Sequence, residues 1–176
     1  MLFDFFYLVT ELKKVPRSGW KNKVGIKHPE SVADHSYGTA VMAMVLADLH
    51  NLDTEKIVKM ALLHDLAESI TGDFMPDEIS KENKKAAEEE AMKEILSKIP
   101  PGVANQYAAL WKEYSELQTE ESILLHDVDK LEMAIQAVKY SSEGFSSEKL
   151  RIFLESAKNK IKSKEIHDIL DTISYK

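Results

Sequence analysis

Cysteine does not occur in the 176 residues. Disulfides, a thiolate nucleophile and thiolate-held zinc or iron–sulfur sites are thereby excluded, so any metal must rest on histidine and carboxylate ligands. Long apolar runs are missing too. The longest, Ala40 to Ala47, falls far short of the ~20 residues that a membrane-spanning helix needs. The apolar stretch from Met1 to Val9 has no basic region before it and is interrupted by Asp4. It reads as an amphipathic first helix rather than a signal peptide, and a cytoplasmic protein is expected. Positive charge is also scarce: 23 Lys and Arg stand against 30 Asp and Glu, a net charge of −7, with no basic block. A nucleic acid polymer or an anionic membrane is therefore not the expected partner, because both require a cationic face. Glycine and proline number 6 and 5, and they fall mostly between periodic segments. Alternation of β-branched residues never persists, so strands are not expected.

Against these absences stand 44% hydrophobic and 30% charged residues, the composition of a globular chain with a sizeable core. The length fits one domain over residues 1–176. Helical periodicity predicts an all-α bundle of about seven to nine helices, at residues 2–13, 31–49, 54–69, 81–98, 102–117, 120–142, 147–160 and 164–174. Ser31 is a plausible N-cap, with Asp34 three residues on in capping-box position. Gly144 is a helix stop. The charge run with Lys84, Lys85 and Glu88 to Glu90 reads as a solvated helix face.

Chemistry concentrates where titratable residues enter apolar helices. His35 follows Ser31-Val32-Ala33-Asp34. His64-Asp65 follows Met60-Ala61-Leu62-Leu63, and Glu68 lies four residues beyond His64, which on a continuous helix gives it the same face. A third such segment is His126-Asp127-Val128-Asp129-Lys130. Charged groups on buried helix faces are costly unless neutralised. Imidazole nitrogens with carboxylate oxygens suit a borderline divalent metal such as Mn, Co, Fe, Ni or Zn. Two His and two Asp leave coordination positions open for water and a phosphate oxygen, as a catalytic site requires. Asp127 and Asp129 are about 200° apart on a helix, so they cannot face one ion together. On spacing alone His126 stays open as a competing ligand.

These segments carry a resemblance. Val15-Pro16-Arg17-Ser18-Gly19-Trp20, Pro29-Glu30-Ser31-Val32-Ala33-Asp34-His35, His64-Asp65-Leu66-Ala67-Glu68 with Thr71-Gly72-Asp73, and Asp129-Lys130-Leu131-Glu132-Met133 are similar, in order, to the 5′-deoxynucleotidase group of HD-domain metal-dependent phosphohydrolases. The resemblance implies a metal held by His35, His64, Asp65 and Asp129, Arg17 and Trp20 at the substrate, His35 beside it, and Glu68 and Asp73 near the attacking water. It selects Asp129 over Asp127, and it implies a nucleoside 5′-monophosphate substrate, Mn or Co before Ni, Fe, Zn or Mg, and a homodimer. Trp111-Lys112-Glu113-Tyr114 resembles the family as well, without a role that its residues suggest.

Two of those roles have independent support. Arg17 is one of two arginines beside 23 − 2 = 21 lysines, which points to a need for planar, bidentate phosphate recognition. Trp20 offers a flat face to a base or sugar. Asp73 after Gly72 either shares the water chemistry or caps a turn. Residues 66–125 contain no histidine, so a di-iron oxygenase or a two-metal phosphodiesterase is not expected. Cleavage of nucleoside triphosphates or guanosine alarmones is the nearest alternative, although the motifs carry few cations beyond Arg17, Lys21 and Lys23. A catalytically silent helical interaction module would have lost part of this ligand set.

Overall fold

Ser31 starts the helix around which the other elements pack. Its hydroxyl accepts the Asp34 amide, and the Asp34 carboxylate accepts the Ser31 amide in return, a complete capping box. In the computed structural model, which describes residues 2–75 and 78–173, this helix is α2, Val32–His50. It follows α1 (Leu2–Glu11), a 3₁₀ turn (Leu12–Lys14) and a π-helical turn (Trp20–Val24). After it come α3 (Thr54–Leu63), α4 (Glu68–Thr71), α5 (Lys81–Leu96), α6 (Pro101–Glu116), α7 (Glu120–Ser142), α8 (Ser147–Lys160) and α9 (Lys164–Asp171). Side chains of Asp53, Ser80, Thr119, Ser146 and Ser163 cap α3, α5, α7, α8 and α9 in the same manner, each satisfying an amide that the first turn leaves without a partner. No strand forms among the described residues. A single antiparallel bridge, Pro16 to Ser31, closes the loop carrying Arg17 onto the start of α2.

The main core lies between α2, α3 and α7, where Ala43, Ala47, Ile57, Met60, Leu125 and Val128 are fully buried. Alanines on α2 let the neighbouring helices approach closely, and α8 and α9 close the far side with Ala157 and Leu170. A second cluster gathers Trp20, Val24 and Ile26 from the π turn region against Tyr140 and Leu150. A third lies under α5 and α6.

Periodicity predicts one helix over residues 54–69, yet regular α3 ends at Leu63. Beyond it the amides of Leu66, Glu68, Ser69 and Ile70 each reach the carbonyl three residues earlier, the tighter 3₁₀ spacing. The His64 ring takes part in the change, since its Nδ1 lies 2.6 Å from the Ala61 carbonyl oxygen. The overwound segment turns Asp65 and Glu68 away from the register of a continuous helix. Shared-face reasoning for His64 and Glu68 therefore fails, although the break still delivers both to one site.

Asp127, the carboxylate of α7 that faces away from the site, has a structural task. It is 1% exposed and accepts the amides of Lys162 and Ser163 at 2.7 to 3.1 Å, which fixes the chain entering α9. Asp127→Ala should lower the melting temperature by about 5–10 °C, because the lost charge-assisted bonds leave two backbone donors without their acceptor. Calorimetry checks the loss.

Candidate metal centre

Three helices and one turn bring the ionisable groups together. His35 comes from the second turn of α2, His64 and Asp65 from the overwound end of α3, and Asp129 from the middle of α7. His35, His64 and Asp129 are all buried and present ligand atoms within 4.8 Å of one another. His35 Nε2 lies 3.1 Å from Asp129 Oδ1. Asp65 stands at the edge of this group, its Oδ2 3.2 Å from His64 Nε2, 3.8 Å from His35 Nε2 and 3.6 Å from the Arg17 guanidinium. His126 is only half-buried and lies outside this group.

Both ring orientations are fixed from behind. His35 Nδ1 is held by Glu132 at 2.5 Å and His64 Nδ1 by the Ala61 carbonyl, so each ring turns its Nε2 inward. Neither Nε2 has a hydrogen-bond partner, although both are buried. Buried nitrogens left without partners are rare and costly. Paired with a carboxylate and backed by outer-shell acceptors, they fit a divalent cation.

The electrostatics point the same way. Burial resists ionisation of Asp65, yet His64, Arg17 and His35 hold its carboxyl well below the usual range. Asp129 is likewise held down against burial, first by Lys130 and then by His35 and His64. Burial and Arg17 work against charge on His35, but the nearby carboxylates of Asp129 and Glu132 outweigh them and raise it to about 9. Glu68 goes the other way: burial, Asp65 and Asp73 push its carboxyl well above the ordinary value.

Arg17 is half-buried among Asp65, Asp73, Asp129 and Glu68. These offset the desolvation of its guanidinium and keep it charged. Its loop is pinned by Asp73, whose Oδ2 accepts the Ser18 amide at 2.7 Å while its carbonyl accepts the Ser18 hydroxyl. Gly72, at φ +75°, permits the turn that presents Asp73. Asp73 thus holds the turn that carries Arg17.

Trp20 requires a correction. It is 1% exposed, its ring sits 4.1 Å from that of Phe153 and 5.3 Å from that of Tyr140, and its Nε1 donates to Glu30. The π turn folds the indole inward as core, so Trp20 offers no open face for stacking.

Several participants escaped the sequence. Glu132 supports His35, and Glu30 joins it from the loop. Burial and Glu132 raise Glu30 to about 7. Trp111 Nε1 donates to the His64 carbonyl and Tyr114 hydroxyl to Asp129, which gives the 111–114 stretch its part. Lys84, expected on a solvated face, reaches Glu68 at 3.7 Å and the Phe74 carbonyl at 3.4 Å. Lys130 pairs with Asp129 at 2.6 Å. Cations near the site are thus more numerous than the motifs suggested.

Gly38 leaves room for one of these groups. A Cβ there would lie 3.1 Å from Glu132 Oε1 and 3.2 Å from its Cγ, and Glu132 is buried and bonded to His35, so it has little freedom to yield. Gly38→Ala should cost about 1–3 kcal/mol and weaken metal binding by displacing the His35 partner. Thermal denaturation and metal titration read the two effects separately.

Comparison with known proteins follows this geometry closely. Residues 9–170 match the HD domain model. The chain belongs to the HD domain family. The 5′-deoxynucleotidase HDDC2 of Homo sapiens is 39% identical over 173 residues, covering 98% of this chain and 84% of the human protein. That of Dictyostelium discoideum is 40% identical over 168 residues, covering 89% and 88%. Among solved structures, the PH0347 protein of Pyrococcus horikoshii OT3 superposes with a TM-score of 0.80 at 36% identity, covering 97% of this chain and 96% of that one. This HD-domain protein is accordingly all-α, as its periodicity predicts, and no helix among its described residues is long and apolar enough to cross a membrane.

Proposed function

We propose that this HD-domain protein is a metal-dependent phosphomonoesterase that releases inorganic phosphate from deoxynucleoside 5′-monophosphates. The observation that carries this reading is the pair of buried imidazole nitrogens without a hydrogen-bond partner, converging with Asp129 beside the half-buried guanidinium of Arg17. The curated relatives named 5′-deoxynucleotidase support the substrate class.

In this reading His35, His64, Asp65 and Asp129 hold one divalent ion, Mn or Co before Ni, Fe, Zn or Mg. When bound, such an ion would supply Lewis acidity for the hydrolysis. Arg17 binds the phosphate and offsets the charge that builds on it in the transition state. Asp73 positions Arg17 through Ser18. Glu68, buried and with its Oε2 unpartnered, takes the proton of the water.

We further propose that residues 1–176 act as one domain, that the protein works in the cytoplasm and that it pairs as a homodimer. The exposed apolar residues Phe3, Phe6, Tyr37, Val45 and Leu49 on α1 and α2 support the last point. Sedimentation analysis decides it.

The test of the activity is phosphate release from dAMP, AMP and dATP by chelator-stripped protein with Mn, Co, Mg or Zn restored. Turnover of dAMP that requires metal is expected. Release of pyrophosphate or triphosphate from dATP, with dAMP untouched, would replace this reading by the triphosphate one.

A further inference from the structure

Beyond the catalytic residues, a cavity of about 310 Å³ opens from Arg17 and Asp73 toward the C-terminal part of the chain. Its volume lies at the lower end of small-ligand pockets. A larger groove of about 560 Å³ between α5 and α6 is lined by neither residue, so only the first is continuous with the phosphate-binding end. Its wall is one face of α8, since Ile152, Phe153, Ser156 and Lys160 recur at helical spacing and all line it. Met133 of α7 and Phe74 and Met75 of the loop after Asp73 line it as well.

Lys23 and Lys130 also line the cavity beside Arg17 and add positive charge at its phosphate end, while Ile152, Phe153, Met133 and Met75 give it an apolar part that suits a flat heteroaromatic ring. Phe153 is backed by Trp20 at 4.1 Å and lies close against the Gly19 backbone, so its ring is fixed in place before anything binds. Ile152, Met133 and Met75 supply apolar contact above and below a ring. Ser156 and the Lys160 ammonium offer hydrogen bonds to the carbonyl and ring-nitrogen acceptors at a base edge. The buried indole that offers no stacking face thus supports a phenyl ring that does.

We propose that this α8 face is the nucleobase subsite, holding the base while the 5′-phosphate reaches Arg17; the inference rests on the monophosphatase reading. It gives the C-terminal helices a part in substrate choice as well as in the core.

The experiment compares dTMP with 2-deoxyribose 5-phosphate, which has the same sugar and phosphate but no base. Two variants are used: Ile152→Asp, at a rim position 45% exposed, and Ser156→Phe, which fills the cavity. The ratio of kcat/KM for dTMP to that for 2-deoxyribose 5-phosphate should fall about tenfold in each, the size expected for loss of one apolar pocket contact. General structural damage would lower both substrates and leave the ratio in place. In parallel, saturation-transfer NMR on metal-free protein should show the thymine methyl of thymidine in contact with the wild type and released by both variants. An unchanged ratio in both variants, or thymidine contact that survives both, overturns the subsite. If the wild type cleaves no nucleoside monophosphate, the hydrolase reading falls by itself, and the thymidine contact alone decides the subsite.

Discussion

His64→Ala is expected to cut phosphate release by about a thousandfold or more. A Lewis acid contributes several kcal/mol to such a reaction, at 1.36 kcal/mol per decade, and most of that departs with the ion. The geometry makes this position hard to replace. The Ala61 carbonyl holds Nδ1 and turns Nε2 inward, and His126, half-buried, is not among the ligand atoms that converge there. The protein should remain folded, since the removed ring leaves behind a surplus of carboxylates but no broken helix. Metal content after gel filtration and phosphate release should fall together. A variant that keeps both would show that the ion sits elsewhere. Glu132→Gln is the graded counterpart: as an outer partner of His35 it should weaken metal affinity by about 10–100-fold.

Glu68→Gln should lower kcat by about 10²–10⁴, the usual contribution of a positioned acid or base, while the ion stays bound. The side chain is isosteric and the site is buried, so packing changes little. What disappears is a carboxylate able to accept a proton. Lys84 sharpens the interpretation: its ammonium faces Glu68 Oε1 at 3.7 Å, and its removal should disturb Glu68 without touching the ligand set. Steady-state kinetics on the metal-loaded variant make the measurement. Activity within threefold of wild type would remove Glu68 from the reaction and leave it a structural carboxyl.

How much of this the sequence disclosed depended on distance along the chain. The helix at 120–142 was legible from its apolar periodicity and from Gly144, which at φ +94° stops it, and the structure adds the Thr119–Ser122 capping box at its start. The capping box at Ser31 was equally plain. The break after Leu63 was not, because apolar spacing continues through a 3₁₀ segment and cannot report that a histidine ring has taken the carbonyl of Ala61. Trp20 was misjudged because five residues of π turn between glycines carry no period. Glu132 was readable as part of a motif, but its bond to a histidine 97 positions earlier belongs to the fold. Lys84 was hidden by its neighbours: in a run of lysines and glutamates nothing marks the one that turns inward.

His35, His64 and Asp129 stand 64 − 35 = 29 and 129 − 64 = 65 residues apart, on separate helices whose contact forms the main core. An unfolded chain holds no such site, so an ion bound there acts as a reversible cross-link closing two long loops, the role that disulfides play in other proteins. In a chain without cysteine, the same few side chains would then tie the helices together and carry the proposed chemistry, and removing such an ion would withdraw both at once.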